Sequence, residues 1–251
     1  MKLATASVPT IDPGAIDAIL GAYHGDPFSL LGMHEADGQL VVRVFRPDAR
    51  AITVIREDDP EQEWPAVQVH PDGFFEAVLG TAEERFPYLL KFTGYEGRQW
   101  TQRDPYSFGS ILGPLDLHLF AEGQHWELYK KLGAHLTTVD GVEGTAFNVW
   151  APNASRVSVV GEFNNWDGRI HPMRKLLGCG VWEIFLPGIG EGTHYKFEIK
   201  AAHGGTLLKS DPFAFFSQHG LQTASLVFNL DRQATRQHRH CKARALADLP
   251  L

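Results

Sequence analysis

The 251 residues are enough for one or two compact domains, because such domains usually contain about 100–200 residues each. Hydrophobic residues make up 43% and charged residues 21% of the chain, a globular composition, and the net charge of −7 disfavours binding to nucleic acid or to an anionic membrane. Two cysteines, Cys179 and Cys241, cannot build a disulfide framework, and no apolar run reaches the roughly 20 residues of a membrane span, which together predict a cytoplasmic protein.

The first predicted element is a short helix that follows an N-terminal tail, residues 1–12. Asp12 is a typical N-cap residue, and Pro13 fits the first helical position because its N–H is not needed there. The apolar residues of one helical face are Ile16, Ile19 and Leu20. We expect this helix to lead into the first domain.

The chain then repeats itself. Residues 43–55 and 148–160 both contain a strand, an aromatic residue, a proline, an Asp or Asn, an alanine and a second strand, at an offset of 105. Further matches follow in the same order at offsets of 105 to 107, namely residues 73–76 with 180–183, 90–92 with 195–197, and 104–106 with 211–213. These collinear matches indicate two related units of about 90–100 residues.

Both units have the pattern of a β-sandwich. Apolar residues alternate with period two, as at Val42 and Val44 in the first unit and at Val157 and Val159 in the second, and turn residues separate the short runs. We therefore predict an all-β fold of two tandem immunoglobulin-like β-sandwiches joined by a short helical linker. The predicted segments are residues 13–118 for the first sandwich with its leading helix, 119–136 for the linker, 137–231 for the second sandwich and 232–251 for an atypical basic tail.

The linker prediction depends on residues 125–133. Leu128 and Leu132 are four residues apart, as on one face of a helix, and Gly133 is a typical helix C-cap. The sequence thus places the domain boundary in this helix.

Residues that could carry out catalysis or hold a metal form no recognisable set. The sequence contains no glycine-rich phosphate loop, no Cys-x-x-Cys pair and no His-Glu-x-x-His motif. Asp104 and Asp211 each precede a proline and recur in both units, which favours a turn role over acid–base chemistry. The one histidine cluster, His238 to Cys241, lies among basic residues whose charge disfavours a cation. We predict no catalytic residue, no metal and no cofactor.

One loop, residues 161–168 (Gly-Glu-Phe-Asn-Asn-Trp-Asp-Gly), points to ligand binding. An exposed Trp166 could stack on the apolar C–H face of a pyranose ring, and the neighbouring Asn165 amide could bond its hydroxyls. Alternatively, Trp166 packs half-buried against its own sandwich. The residues alone leave both interpretations open.

Several motifs resemble known families. Phe163-Asn164-Asn165-Trp166, His194-Tyr195-Lys196-Phe197 and Ser210-Asp211-Pro212 resemble carbohydrate-binding module family 48, a sandwich associated with starch and glycogen. Longer motifs are similar to the two N-terminal β-domains of bacterial glycogen branching enzyme, over roughly residues 14–231. They are Tyr23-His24-Gly25-Asp26-Pro27-Phe28, Leu31-Gly32-Met33-His34, and residues 128–135, 149–154 and 166–174.

The resemblance to family 48 implies an α-glucan ligand and assigns its contacts by position. The implied contact residues are Trp166 for stacking, Lys196 for a hydroxyl, Leu221 and Thr223, with Asn165 of the same loop as a further candidate. Two positions depart from the family pattern. Leu208 stands where a second stacking aromatic is expected, and Ser225 stands where an asparagine is expected.

The resemblance to branching enzyme also implies a longer chain. In that family an α-amylase-type (β/α)8 barrel of on the order of 250 residues follows the module and often packs against it, whereas only 20 residues follow Asp231 here. The leading hypothesis is a truncated, non-catalytic N-terminal portion of a branching enzyme, with the barrel as a partner in cis where present and self-association through the uncovered face. The alternatives are a stand-alone interaction module that docks on a glucan-processing partner, and an enzyme active as it stands, for which we expect no activity.

Overall fold

The computed structural model describes residues 10–81, 84–220 and 222–230. The elements of the first unit are α1 (Pro13–Leu20), a 3-10 turn (Pro27–Ser29), β1 (Gly32–Ala36), β2 (Gln39–Phe45), β3 (Ala49–Arg56), β4 (Glu63–Pro65), β5 (Val67–His70), β6 (Phe74–Gly80), β7 (Tyr88–Gly94), β8 (Gln99–Arg103) and a 3-10 turn (Pro105–Ser107). Its strands form two antiparallel sheets, ordered β1-β2-β6-β5 and β4-β3-β7-β8.

The second unit repeats this architecture. Its elements are α2 (Pro114–Ala121), a 3-10 turn (Leu128–Lys130), β9 (Gly133–Val139), β10 (Val142–Trp150), β11 (Ala154–Gly161), a 3-10 turn (Glu162–Asn164), β12 (Arg174–Leu176), β13 (Val181–Pro187), β14 (His194–Ala201), β15 (Thr206–Lys209), β16 (Phe216–Ser217) and β17 (Ser225–Leu226). One sheet has the order β12-β13-β10-β9 and the other β11-β14-β17-β16, with β15 also paired to β14.

The two sheets of each unit pack face to face around an apolar core, because alternate residues of the facing strands point inward. The first core includes Val42, Val44, Ile52, Val54, Phe75, Leu90 and Phe92, and the second includes Phe147, Val149, Val157, Val159, Trp182, Tyr195 and Phe197. The predicted all-β fold of two tandem sandwiches is confirmed. So is the leading helix, in which Ile16 and Ile19 are buried. Among the residues described, no helix has the length and apolar character that a bilayer crossing needs.

The two units repeat one buried hydrogen bond. Tyr88 Oη donates to Asp104 at 2.6 Å, and Tyr195 Oη donates to Asp211 at 2.5 Å. Each carboxylate also accepts the backbone N–H two residues further along the chain. Burial raises the pKa of Asp104 to about 6 and also raises the pKa of Asp211. Both aspartates therefore anchor the turn that follows them.

The strand registers correct one detail of the sequence repeat. Ile52 pairs with Phe92 and Val157 pairs with Ile199, so Phe92 corresponds to Ile199, at an offset of 107. The match of residues 90–92 with 195–197 is therefore two residues out of register. A shift of two leaves every side chain on the same face, and the alternating pattern could not reveal it.

The segment predicted as a linker is the start of the second unit. The predicted helix over residues 125–133 is wrong, because these residues contain only a 3-10 turn and the start of β9 at Gly133. The helix of this region, α2, lies earlier in the chain. Helix, turn and first strand each recur after 101 residues, from Pro13 to Pro114, Pro27 to Leu128 and Gly32 to Gly133. The apolar spacing of Leu128 and Leu132 reflects packing on the sandwich.

The loop between β11 and β12 joins the two units. Ile170 of the second unit is only 3% exposed, in a cluster with Ile19, Phe45 and Phe74 of the first unit. Tyr106 Oη, also from the first unit, donates to the Ile170 carbonyl at 3.2 Å. The same loop carries Trp166, four residues before Ile170.

Candidate functional site

The buried Asn164 side chain stabilises the loop that carries Trp166 through hydrogen bonds to the backbone. Asn164 Oδ1 accepts from the N–H of Gly161 at 2.9 Å, and Nδ2 donates to the carbonyl of Val159 at 2.9 Å. Nδ2 also lies 3.0 Å from Nδ1 of His171, to which it can donate only when that nitrogen is unprotonated. Asn164 therefore links the two ends of the loop by hydrogen bonds and connects the loop to His171.

Two consecutive residues with left-handed backbone conformation shape the tip of the loop. Asn165 has a φ of +54° and Trp166 a φ of +59°. Asparagine tolerates this region, whereas for tryptophan it is rare and costs free energy that the surrounding contacts must offset. Trp166 N donates to the carbonyl of Gly161 at 2.9 Å, and Arg169 makes an ion pair with Asp167 at 2.7 Å. Strain of this kind is typical of ligand sites.

Trp166 forms one wall of an open groove of about 560 Å³. The tryptophan is 39% exposed. Lys196 lies on the outer face of β14, between the buried Tyr195 and Phe197, and Leu208 lies on the neighbouring β15. The groove is lined by Glu162, Trp166, His194, Lys196, Leu208, Gln218, Gln222 and Ala224.

The structure brings together part of the predicted contact set. Trp166 and Lys196 both line the groove. Thr223 is exposed, between two residues that line it. Asn165 is exposed beside Trp166 but does not line the groove, and its place is in the turn. Leu221 lies outside the described residues.

The two departures from the family pattern have different consequences. Leu208 lines the groove and is 53% exposed, so an aliphatic side chain occupies the place of the expected aromatic. Ser225 is fully buried, and its Oγ accepts from the N–H of Asp211 at 2.9 Å. Ser225 therefore supports the turn after β15 and does not face the groove.

Sequence reasoning missed four polar residues of the groove, which are Glu162, His194, Gln218 and Gln222. His194 could have been found, because it lies two residues before Lys196 and hence on the same face of the strand. The glutamines reach the groove only through the fold of the C-terminal segment. Around the indole, these side chains provide donors and acceptors suited to a ligand with apolar faces and several hydroxyls.

The imidazole beneath the loop is kept neutral. Burial and the nearby charge of Arg46 lower the pKa of His171 to about 3, with Asp48 acting in the opposite sense. Burial opposes ionisation of Asp167, yet the hydrogen bonds from Arg169 hold the pKa of that carboxyl below its usual value. The neutral His171 keeps Nδ1 free to accept from Asn164.

Within the part of the chain that the structure describes, no three His, Cys, Asp or Glu side chains are placed to hold a metal ion. Cys179 is a buried free thiol. The His238 to Cys241 cluster lies outside the described residues.

Two family models match the chain, one on each unit. Residues 12–106 match the model described as alpha-1,4-glucan branching enzyme GlgB, N-terminal domain. Residues 131–214 match carbohydrate-binding module 48, also described as isoamylase N-terminal domain. The two matches follow the order and positions of the two sandwiches.

Proteins with similar sequences are named as branching enzymes, in agreement with the first family model. The chain is 47% identical to 1,4-alpha-glucan branching enzyme GlgB of Paramagnetospirillum magneticum over 218 residues and 45% identical to that of Rhodospirillum rubrum over 238 residues. These alignments cover 86% and 92% of this chain but 29% and 32% of the relatives, so the chain spans about a third of their length. A pullulanase structure from Anoxybacillus sp. LM18-11 aligns with 80% of this chain and 28% of its own, at a TM-score of 0.35 and 16% identity. The chain therefore matches the GlgB N-terminal domain and carbohydrate-binding module 48 in succession, and it corresponds to the N-terminal region of the 1,4-alpha-glucan branching enzymes that it resembles.

Proposed function

We propose that the second sandwich binds an α-glucan, such as glycogen or a maltooligosaccharide, in the Trp166 groove. In this proposal the chain supplies glucan binding to a cytoplasmic branching enzyme of glycogen biosynthesis. The observation that carries the proposal is an exposed indole, held in a strained turn, that shares one groove with Lys196. The match to carbohydrate-binding module 48 and the names of the relatives support it.

Each side chain has a distinct task in this proposal. A pyranose ring stacks its C–H face on Trp166, which removes water from two apolar surfaces. Lys196 donates to sugar hydroxyls, and Glu162 accepts from them. Leu208 adds apolar contact without an aromatic face. Thr223 would extend the site along the C-terminal segment, and Asn165 would act mainly by holding Trp166 in position; Leu221 remains a contact that only the family resemblance implies.

The longer relatives are named for the branching of 1,4-alpha-glucan. For this region we propose a binding role in that reaction, with the remainder of the longer chain as its partner in cis. A second role, the docking of another polypeptide, is supported by an apolar surface around α2, where Trp150 is 59% and Trp126 is 93% exposed.

Trp166→Ala is expected to reduce retention of the purified chain on glycogen at least tenfold. Burying a large apolar side chain is worth about 1.5–3 kcal/mol, and a tenfold change in affinity corresponds to about 1.4 kcal/mol. Affinity electrophoresis in glycogen-containing gels measures the effect. Trp126→Ala is the matched control, since that tryptophan is exposed and lies outside the groove. Unchanged retention of the Trp166 variant would remove this residue from the site.

Leu208→Trp is expected to tighten glycogen binding about two- to tenfold, because an aromatic contact adds about 0.5–1.5 kcal/mol beyond the area that it buries. The replacement supplies a second stacking surface in the groove that Trp166 lines. Leu207→Trp is the control, since Leu207 is exposed on the same strand but does not line the groove. Equal gains in both variants would show that the added tryptophan acts non-specifically.

A further inference from the structure

A row of outward-facing residues crosses one sheet of the second unit beside the Trp166 groove. His194 on β14 pairs with Leu226 on β17, and Leu226 pairs with Phe216 on β16. Residues that pair directly in antiparallel strands lie on the same face of the sheet. Because His194 lines the groove, Phe216 lies on the same face of the sheet as the groove, on the edge strand β16.

The floor of the groove extends to the strand that carries Phe216. The pairing of β16 with β17 continues to Gln218, whose N–H donates to the Ala224 carbonyl at 2.8 Å, and both residues line the groove. Gln218 Nε2 also donates to Gln222 Oε1 at 3.0 Å. Each amide can make more hydrogen bonds than this one, so the pair can still bind hydroxyls. Gln218 comes two residues after Phe216 and hence lies on the same side of the strand, so polar groups of the groove lie next to Phe216.

The Phe216 ring is exposed and also held by its neighbours. The residue is 44% exposed. Its ring stacks on that of Phe228, with the ring centres 5.5 Å apart and an interplanar angle of 13°, and the His219 ring lies 6.2 Å away at 89°. Stacking limits the rotation of the Phe216 ring, so little conformational entropy is lost when a ligand contacts its exposed part. Such a ring can stack on the apolar C–H face of a pyranose.

We propose that Phe216 is a second stacking site for α-glucan, so that one glucan chain contacts Trp166 and Phe216 together. This inference rests on the proposed binding of α-glucan in the Trp166 groove, and it adds a residue that is not part of the lining of that groove. Leu208 stands where the family pattern expects a second aromatic residue, and its aliphatic side chain offers no aromatic face to a sugar. Phe216 supplies that face from a different strand.

The positions of the two rings imply a preference for longer glucans. Trp166 comes from the loop after β11, on one side of β14, whereas β16 lies beyond β17 on the other side. Neighbouring strands lie about 4.8 Å apart, so Phe216 is roughly 10 Å from His194 across the sheet. A chain of several glucosyl units spans this path, whereas a disaccharide stacked on Trp166 ends before it reaches Phe216. Phe216 therefore adds to the affinity for long chains alone.

Chemical-shift titrations of the intact chain with maltose and with maltoheptaose test the proposal. Phe216→Ala is expected to weaken maltoheptaose binding about three- to tenfold, the usual contribution of one aromatic contact, and to change maltose binding by less than about twofold. Unchanged maltose binding also shows that the Trp166 groove is still folded in the variant. Phe216→Tyr keeps the ring and should bind both sugars as wild type does. Tyr95→Ala removes an exposed aromatic residue between β7 and β8 of the first unit, and this matched control should also bind both sugars as wild type does.

Equal affinity for maltoheptaose in wild type and in Phe216→Ala would overturn the proposal. Equal weakening of both sugars would also overturn it, because Phe216 would then support the groove as a whole. A second copy of this chain is the rival occupant of the Phe216 ring. If that rival is correct, Phe216→Ala changes the oligomeric state on size exclusion and leaves maltoheptaose affinity unchanged, which contradicts the proposal.

Trp166→Ala in the same titrations separates this inference from the proposed function. Unchanged binding of both sugars in the Trp166 variant would remove the groove as the glucan site. Weaker binding of both sugars in that variant, together with no effect of Phe216→Ala, would leave the groove in place and remove only the second stacking site.

Discussion

Glu183→Ala is expected to lower the free energy of unfolding by about 3–5 kcal/mol, the usual range for breaking a buried ion pair. The carboxylate is fully buried on β13 and accepts hydrogen bonds from residues 110–112, the segment that precedes α2. Oε1 accepts from Ser110 Oγ at 2.8 Å, and Oε2 accepts from the N–H of Leu112 at 3.1 Å. Arg174 Nη2 balances the charge at 3.0 Å. Removing the carboxylate leaves these donors without their acceptor, and orphaned buried donors are costly.

Denaturant unfolding at neutral pH measures this loss. Glu183→Gln keeps the shape and one acceptor oxygen, so it should lose stability to a smaller extent. Glu143→Gln, an exposed glutamate on the neighbouring strand β10, is the control and should change stability by no more than about 0.5 kcal/mol. A loss below about 1 kcal/mol for Glu183→Ala would contradict the structural role assigned here.

The first unit contains the same arrangement of a buried glutamate that binds the segment before the leading helix, which supports the structural role of Glu183. Glu76, the equivalent of Glu183 in the strand registers, is buried and pairs with Arg43 at 2.9 Å. It also accepts from the backbone N–H and the hydroxyl of Thr10, just before α1. Each unit therefore anchors the chain ahead of its leading helix on a buried glutamate.

These glutamates show where sequence reasoning stops. The alternating pattern predicts strands and sandwich cores because it reports which face of a strand is apolar, and Val42, Val44, Val157 and Val159 are buried as that pattern requires. A glutamate between apolar residues looks solvent-exposed on the same grounds. Glu183 is buried because a distant segment, residues 110–112, covers it, and strand periodicity carries no information about such a segment.

The connection between the units shows a related failure. The spacing of Leu128 and Leu132 fits a helix, but both side chains pack on the second sandwich from a 3-10 turn and the residues that follow it. A better signal was in the sequence: Leu31-Gly32-Met33-His34 and Leu132-Gly133-Ala134-His135 share Leu-Gly-x-His. In both, the histidine Nε2 lies 2.9 Å from the leucine carbonyl. This match marks the first strand of each unit.

The candidate site was predictable only in part, because local sequence patterns do not report which distant segments meet in the folded protein. Trp166 stands out because a tryptophan among polar loop residues is unusual, and Lys196 follows from the family pattern. The groove itself is built from β14, β15 and the side chains of Gln218, Gln222 and Ala224, which approach one another only in the folded protein. Leu208 and Gln222 become neighbours of Trp166 through tertiary structure alone.

Acidification is expected to destabilise the protein through His171. The pKa of this group is about 3 in the folded chain and about 6.5 when it is exposed. Because the folded value is the lower one, the unfolded state binds more protons between these two pH values. The free energy of unfolding therefore falls as the pH drops from about 6.5 toward 3, by up to about 1.4 kcal/mol per pH unit, and His171 has no such effect above 6.5.

Asp104 acts in the opposite direction and must be separated from His171. Its folded pKa of about 6 lies above the unfolded value, so its contribution to stability is present at low pH and is lost as the pH rises through 6. Wild-type protein therefore shows a smaller net slope than His171 alone would produce. Comparing wild type with a His171 variant cancels the contribution of Asp104, because both proteins contain it.

His171→Gln provides that comparison, since its amide oxygen can accept from Asn164 without titrating. Between pH 7 and pH 5, wild type is expected to lose about 2 kcal/mol more stability than the variant, measured by denaturant unfolding at each pH. His203→Gln, in the exposed turn before β15, should leave the wild-type pH dependence unchanged. Parallel curves for wild type and His171→Gln would mean that the imidazole takes up a proton as readily in the folded chain. Its bond to Asn164, and with it the support of the Trp166 loop, would then weaken at mildly acidic pH without loss of the fold.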